Sequence, residues 1–149
     1  EHFIVVHQTG AGNEVSFKEK VANDSYKPYS FIYGEMPDVL AAADIILSRA
    51  GANSLWECAV LKKPMVLVPL CGSGTRGDQV ENARFFEENN AATVLLGEDA
   101  DSQHLQDALI KMLDESTRKN FAESCSALTD SIPPAKRIAD LLYTEVVSK

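Results

Sequence analysis

The sequence predicts an α/β fold, a Rossmann-like parallel sheet with helices on both faces. Short apolar runs rich in β-branched residues alternate with longer amphipathic stretches along the chain. This alternation is typical of right-handed βαβ units with parallel strands. The 149 residues, 45% of them apolar, suffice for one sizeable core, so we expect one domain over residues 1–149.

The apolar runs indicate five strands, and the stretches between them indicate the helices. Strands are expected at about residues 3–7, 29–32, 45–48, 65–69 and 92–96. Helices are expected at about residues 14–23, 37–43, 53–61, 79–89, 102–113, 117–128 and 134–147. Pro37 suits the first turn of a helix, and Pro64 stands between a helix that has ended and a strand. Two prolines within residues 131–134 separate the last two helices.

The most informative segment follows the third expected strand, where residues 48–57 read Ser-Arg-Ala-Gly-Ala-Asn-Ser-Leu-Trp-Glu. Gly51 and Ala52 allow the backbone to turn without steric cost, and Asn53 or Ser54 can cap the helix that follows. The free N–H groups of a first helical turn and the positive end of the helix dipole attract anions. The segment therefore fits a seat for a diphosphate.

Two charged side chains extend this segment. Arg49 offers a planar fork of hydrogen-bond donors to a phosphate. Glu57, expected within about one turn of the helix start, can accept two hydroxyl hydrogen bonds of the kind a ribose offers. The same residues also fit an ordinary βα turn with a solvated arginine and a carboxylate near the helix start.

A second group of polar residues follows the fourth expected strand. Asp78 and Gln79 stand at a helix start, where a carboxylate and an amide can bind neighbouring sugar hydroxyls. The alternative interpretation is a helix cap. Because ligands in open α/β sheets bind outside the carboxyl ends of the strands, we expect both groups to face one crevice.

A glycine-rich stretch offers a competing function. Residues 72–77 spell G-x-G-x-x-G between a strand and a helix, and Glu98 lies about 20 residues further on, as a dinucleotide site requires. A nicotinamide-dependent oxidoreductase is therefore an alternative. Against it, residues 69–71 separate the strand from the first glycine, and Asp78 would bring negative charge to the pyrophosphate.

Neither a metal nor a cofactor is expected. Asp99 and Asp101 form a D-x-D pair of the kind that holds a metal in some nucleotide-sugar enzymes, but they directly precede a helix, which favours capping. His2, His7 and His104 are too scattered in the sequence for a metal cluster. His7, at the end of a strand, could touch a substrate or serve as a hydrogen-bonded packing residue.

Charge and composition exclude several classes of protein. Lys and Arg total 14 against 22 Asp and Glu, a net charge of −8. This sign argues against a nucleic-acid partner and against a generally basic membrane-facing surface. No apolar run approaches the roughly 20 residues of a spanning helix, and no signal peptide is visible. Three widely spaced cysteines fit reduced thiols in a cytoplasmic protein.

Three spaced motifs resemble the carboxy-terminal half of the MurG-type N-acetylglucosaminyltransferases. They read Arg-Ala-Gly-Ala-Asn-Ser-Leu-Trp-Glu at 49–57, Lys-Pro-Met-Val-Leu-Val-Pro at 63–69 and Arg-Gly-Asp-Gln-Val-Glu-Asn-Ala at 76–83. Residues 7–10 and 33–36 also fit, so the resemblance covers most of residues 3–145. It implies the carboxy-terminal domain of a two-domain GT-B-type transferase. Such an enzyme moves N-acetylglucosamine from UDP-N-acetylglucosamine to a lipid-linked muramoyl-pentapeptide in peptidoglycan biosynthesis, with inversion and without a metal.

The resemblance also implies which residues hold the nucleotide. The main chain around Tyr33 would pair with uracil, and Met36 would pack on the ring. The diphosphate would bind the turn formed by Gly51, Ala52, Asn53 and Ser54. Arg49 would stabilise the leaving diphosphate, which is the one catalytic role implied for this chain.

For the two sugars, the resemblance implies four further contacts. Glu57 would bind the ribose hydroxyls. Asp78, Gln79 and Asn82 would contact the N-acetylglucosamine. Asp78 departs from the paired amides of some family members, so the family pattern does not define its contact.

The resemblance finally implies a partner. The family's chain is longer, and its amino-terminal domain supplies the acceptor site and the candidate base. We therefore expect this chain to be a fragment, or one half of a split enzyme, and to be inactive alone. A non-catalytic UDP-sugar sensor is the alternative. In the complete enzyme the domain would lie in the cytoplasm, peripheral to the inner face of the bacterial cell membrane, with the lipid-linked acceptor held by the missing domain.

Overall fold

The computed structural model describes residues 3–13, 16, 24–72, 77–129 and 134–147. The chain divides into two compact units, residues 1–43 and residues 44–149. None of the helices in the described ranges is long and apolar enough to span a membrane.

The first unit contains two parallel strands and a short helix. Strand β1 (Val5–Gln8) pairs with β2 (Tyr26–Tyr29), and helix α1 (Met36–Ala42) follows. The strand expected at 29–32 lies three residues earlier in the structure, and it includes Pro28. A proline is tolerated there since β2 is an edge strand of a two-stranded sheet. The helix expected at 14–23 falls, apart from Ser16, outside the described residues.

The second unit contains a parallel sheet of three strands in the order β3-β4-β5. They are β3 (Ile46–Ser48), β4 (Met65–Leu67) and β5 (Ala92–Val94), with Ile46 opposite Met65 and Met65 opposite Ala92. All three residues of the central strand β4 are fully buried, as expected of a parallel strand covered on both faces. The predicted parallel arrangement of all paired strands is confirmed.

Five further α-helices lie in the second unit: α2 (Ala52–Val60), α3 (Asp78–Glu88), α4 (Ser102–Lys111), α5 (Glu115–Leu128) and α6 (Pro134–Leu142). A short 3₁₀ helix (Gly97–Asp99) precedes α4, and a π-helical turn (Tyr143–Val147) follows α6. The ends agree with the sequence-based prediction to within two residues, apart from the change of helix type after Leu142.

The core of the second unit joins the sheet to α4 and α5. Val66, Leu95 and Met112 form its centre, and Phe121 of α5 packs against them. Helix α2 buries Leu55, Cys58 and Ala59 and packs against α5. All three cysteines are free thiols, as expected, and only Cys71 is exposed. Burial raises the pKa of Cys58 and of Cys125 to about 11.

The register of β3 and β4 places two loops side by side. The amide of Val68 donates to the carbonyl oxygen of Ser48 at 2.9 Å, which continues the strand pairing beyond Leu67. The segments that begin at Arg49 and at Val68 therefore leave the sheet next to each other. This is the carboxyl edge at which ligands bind in open α/β sheets.

Candidate functional site

The turn after β3 is fixed by side-chain contacts from two directions. Nη1 of Arg49 donates to the carbonyl oxygen of Val68 at 3.2 Å, beyond the end of β4. Nδ2 of Asn82, on α3, donates to the carbonyl oxygen of Ala50 at 3.1 Å. Ala50 itself is completely buried. The turn is therefore tied both to the neighbouring loop and to the helix that follows that loop.

The start of α2 carries no side-chain cap. Gly51 occupies the N-cap position, and the first helical hydrogen bond runs from the Leu55 amide to the Gly51 carbonyl at 3.1 Å. The amides of residues 52–54 donate to no residue that the structure describes. These are the orphan donors that every helix start presents.

Asn53 and Ser54 do not cap this helix, so that part of the prediction was wrong. The helix begins at Ala52, which places both residues within the first turn, where they are exposed. An N-cap residue has a non-helical backbone, and here that backbone belongs to Gly51.

Gly51 is not required by the backbone either. Its φ of −70° and ψ of 130° are values that other residues adopt readily. A Cβ atom built there would meet no other atom within 4 Å. Glycine fits the turn without being required by it, and it leaves open space beside the uncapped amides.

Glu57 lies further along α2 than expected. It is the sixth residue of the helix, about 7.5 Å along the axis from Ala52. Its side chain is exposed, and it shares a helix face with Asn53, four residues earlier. This face is turned away from the buried side that carries Leu55 and Ala59.

Helix α3 brings the second predicted group of residues to the same edge. Gly77 is its N-cap, with a φ of +80°, and Asp78 is its exposed first residue. Oε1 of Gln79 accepts a hydrogen bond from the Leu70 amide at 3.0 Å, which anchors the loop after β4. Neither Asp78 nor Gln79 caps the helix. Residues 73–76 of the glycine-rich stretch lie outside the described part of the chain.

A cleft of about 290 Å³ lies between α2 and α3. It is lined by Ala52, Leu55, Trp56, Glu81, Asn82, Phe85 and Phe86. The rings of Trp56 and Phe86 meet edge to face with centroids 5.3 Å apart. Ala52 and Asn82 are the predicted site residues that line it, whereas Glu57 and Gln79 do not. The cleft was not predicted from the sequence, and its signal was Trp56 on α2 together with Phe85 and Phe86 on α3.

The two predicted uracil-binding residues belong to the first unit. Tyr33 is 77% exposed, and its ring centroid lies 5.8 Å from that of Phe31. The Tyr33 carbonyl accepts a hydrogen bond from the amide of Met36 at 3.2 Å. Met36 is half-buried at the start of α1.

The D-x-D pair acts as the favoured interpretation predicted. Asp101 caps α4 by accepting a hydrogen bond from the His104 amide at 2.8 Å. Its carboxylate also lies 3.0 Å from Nδ1 of His104, and this hydrogen bond raises the pKa of the imidazole. Within the described ranges, no group of three or more His, Cys, Asp or Glu side chains is placed to hold a metal ion.

The chain matches the family model of the glycosyltransferase family 28 C-terminal domain over residues 1–142. It belongs to this family. The predicted membership of a GT-B-type carboxy-terminal domain is thereby confirmed, together with the fold class.

Curated relatives carry the name UDP-N-acetylglucosamine–N-acetylmuramyl-(pentapeptide) pyrophosphoryl-undecaprenol N-acetylglucosamine transferase. The protein of Treponema denticola is 42% identical over 168 aligned residues, which cover all of this chain and 42% of the relative. That of Geobacillus thermodenitrificans is 39% identical over 127 residues, covering 84% of this chain and 35% of the relative. The resemblance to the MurG-type transferases is confirmed, and the chain spans less than half the length of these relatives.

Solved structures show the same fold. MurG of Acinetobacter baumannii superposes with a TM-score of 0.78 at 22% identity, covering 95% of this chain and 41% of that one. The glycosyltransferase of kitacinnamycin superposes with a TM-score of 0.66 at 19% identity, covering 93% of this chain and 34% of that one. Both are GT-B glycosyltransferases, in which this chain corresponds to the carboxy-terminal domain.

Proposed function

We propose that this chain is the donor-binding domain of an inverting, metal-independent N-acetylglucosaminyltransferase. Its donor is UDP-N-acetylglucosamine, and its acceptor is a lipid-linked peptidoglycan precursor. The names of the curated relatives, at about 40% identity, support both substrates. The observation that carries the proposal is the uncapped start of α2.

That helix start is suited to a diphosphate. Three amides point out of the first turn without a partner among the described residues, and the helix dipole adds positive potential at the same place. Gly51 keeps the space beside them open, although neither its backbone angles nor its neighbours require a glycine. Close approach of a ligand to the backbone accounts for the missing side chain.

Arg49 would complete the diphosphate site. Its hydrogen bond to the Val68 carbonyl uses one Nη1 donor and holds the side chain at the sheet edge. A guanidinium has five donors in a planar fork, so donors remain for a phosphate. Glu57 would bind the ribose hydroxyls from the exposed face of α2. In the first unit, Tyr33 and Met36 would hold the uracil.

The chemistry follows from this arrangement. A hydroxyl oxygen of the acceptor attacks the anomeric carbon of the donor and forms the new C–O bond with inversion. The bond from that carbon to the diphosphate breaks, UDP leaves with the electron pair, and a base takes the hydroxyl proton. Negative charge grows on the diphosphate, where the first-turn amides and Arg49 would stabilise it as a metal does elsewhere.

The base, the acceptor site and the membrane contact would lie in the part of the relatives that this chain does not span. Four apolar side chains of the last helical segment are exposed by 58–65%, namely Ile138, Leu141, Leu142 and Tyr143. They offer a surface for that part to cover. We propose that the complete enzyme works at the cytoplasmic face of the membrane, and that this chain alone does not transfer sugar.

Calorimetry with three ligands tests the donor assignment. UDP and UDP-N-acetylglucosamine should bind weakly, and NAD should not bind. Binding of NAD in place of the uridine ligands would favour the oxidoreductase alternative. Release of UDP should then be measured with a lipid-linked acceptor, with and without the amino-terminal part of a relative as a separate chain. Turnover by this chain unaided contradicts the proposed division of the site, and binding without turnover in the combined sample favours a sensor.

The sugar end of the site is tested by Gln79→Ala. This variant should bind UDP-N-acetylglucosamine more weakly and UDP with nearly unchanged affinity, because only the former carries the N-acetylglucosamine hydroxyls. The measurement is the pair of dissociation constants by calorimetry. An equal loss for both ligands would restrict Gln79 to its observed role of anchoring the Leu70 amide.

A further inference from the structure

The hydrogen bond from Asn82 to Ala50 joins two segments that lie 32 residues apart in the sequence. Asn82 is half-buried in α3, and Ala50 is completely buried between β3 and α2. A buried carbonyl oxygen needs a hydrogen-bond partner, because leaving it unpaired costs the desolvation of that group. Among the described residues, Asn82 supplies the partner of this carbonyl.

This contact fixes more than one carbonyl. The carbonyl of Ala50 and the amide of Gly51 belong to one planar peptide unit, so the direction of one sets the direction of the other. Gly51 is the N-cap of α2, and its own carbonyl receives the first helical hydrogen bond, from Leu55. The amide of Asn82 therefore orients the entry of the chain into the helix whose first turn presents the open donors.

We propose that Asn82 is a positioning residue for the diphosphate, and that it acts through the Ala50–Gly51 peptide rather than as a ligand of the sugar. The inference rests on the proposed function of the α2 start. It differs from what the family resemblance implies for this residue. It also explains how a helix start without a capping side chain keeps one defined geometry.

The physical effect is on the population of the binding-competent turn. Without the Asn82 donor, the Ala50–Gly51 peptide can rotate towards water, and the competent fraction falls. The apparent dissociation constant rises by the inverse of that fraction. UDP and UDP-N-acetylglucosamine carry the same diphosphate, so both lose affinity by the same factor. If Asn82 instead bound the sugar, its loss would weaken the binding of UDP-N-acetylglucosamine only.

Two variants and a matched control test this inference. Asn82→Ala removes the amide, and Asn82→Asp keeps its shape but, when ionised, has no proton to donate. Asn89→Ala is the control, because Nδ2 of Asn89, the residue that ends α3, donates at 2.8 Å to the carbonyl of Phe85 in that helix. Calorimetry should show that both Asn82 variants bind UDP and UDP-N-acetylglucosamine about 10-fold more weakly than the parent, whereas the control binds both ligands with unchanged affinity.

A second readout needs no ligand. Hydrogen exchange of the Leu55 amide, which reports the first helical bond of α2, should be faster in both Asn82 variants and unchanged in Asn89→Ala. Losses confined to UDP-N-acetylglucosamine, or unchanged exchange at Leu55 in folded variants, would overturn the inference. If the parent chain fails to bind UDP while exchange at Leu55 still rises, the proposed function is wrong and the structural role of Asn82 stands.

Discussion

Helices α2 and α5 begin with nearly the same backbone and opposite chemistry. Gly51, before α2, has φ −70° and ψ 130°, and Asp114, before α5, has φ −70° and ψ 122°. The Asp114 carboxylate accepts a hydrogen bond from the Thr117 amide at 2.7 Å, whereas Gly51 has no side chain to offer. One helix satisfies its own first-turn donors, and the other leaves them open.

Two further helices of the second unit show the same contrast. Helix α4, like α5, is capped by an aspartate, Asp101. Helices α2 and α3 follow the carboxyl ends of β3 and β4, and both start at a glycine without a side-chain cap. A side-chain cap is therefore missing at the two helices that carry the predicted site residues, and it is present at α4, which follows β5, and at α5. Helix α1, in the other unit, also lacks a side-chain cap, but Pro37 removes one of its donors.

The largest expected effect comes from giving α2 the cap that α5 has. In Gly51→Asp, the carboxylate should take the first-turn amides as Asp114 does, and its charge should repel the diphosphate. We expect UDP binding to weaken by about 100-fold or more, with thermal stability kept or raised by a few tenths of a kcal/mol. Calorimetry and thermal unfolding measure the two effects.

Gly51→Ala separates the effect of the added side-chain volume from the effect of the aspartate charge. It adds a Cβ atom to open space, so unfolding should be unchanged while UDP binding weakens less than in Gly51→Asp. If Gly51→Asp binds UDP as tightly as the parent, the open helix start is not the diphosphate seat.

The second effect concerns the exposed face of α2. Glu57→Ala should lose about 1–3 kcal/mol of UDP binding, because a charged acceptor of the ribose hydroxyls is removed. Binding is again measured by calorimetry. Glu123→Ala, an exposed change on α5, serves as the control. Unaltered affinity of Glu57→Ala for UDP would place the ribose elsewhere.

The third effect removes a structural cap. Hydrogen bonds from Ser116 and Thr117 lower the pKa of Asp114 from 3.8 to about 2. Its stabilising contribution is therefore present above pH 3.8 and is lost as the pH falls through about 2. At neutral pH, Asp114→Ala should melt at a lower temperature than the parent and bind UDP with the same affinity. The difference in melting temperature should shrink as the pH falls from 3.8 to about 2. A constant difference across that range contradicts the assignment.

The smallest effect belongs to the cap of α4. The Asp101 carboxylate raises the pKa of His104 above its ordinary value of 6.5. The charged imidazole then stabilises the fold below pH 6.5, and this contribution is lost as the pH rises through the raised pKa. Thermal melts of the parent should show a slight decline over that range. His104→Gln, which keeps the backbone hydrogen bond to Asp101, should not show this decline in melting temperature. An identical decline in the parent and the variant would contradict the prediction.

The same helix starts show how far local sequence carries a structural prediction. The cap at Asp101 and the buried strand β4 follow from residues close in sequence, and both predictions are confirmed. Helix α2 starts at Ala52, and the turn before it contacts Asn82, far away in the sequence, so good capping residues at 53 and 54 were misleading. The position of β2 was missed because Pro28 argues against a strand unless the strand is at an edge. The cleft could not be predicted because it depends on how α2 and α3 pack against each other.

The burial of two thiols makes the third one a natural attachment point. The thiolate is the form that attacks thiol reagents, and a pKa of about 11 leaves Cys58 and Cys125 almost wholly protonated near neutral pH. Cys71 is exposed on the loop after β4, next to Leu70, whose amide is bound by Gln79. A maleimide fluorophore should therefore label the unaltered chain once, at Cys71. Its emission would then report ligand binding at the proposed sugar end of the site without any engineered cysteine.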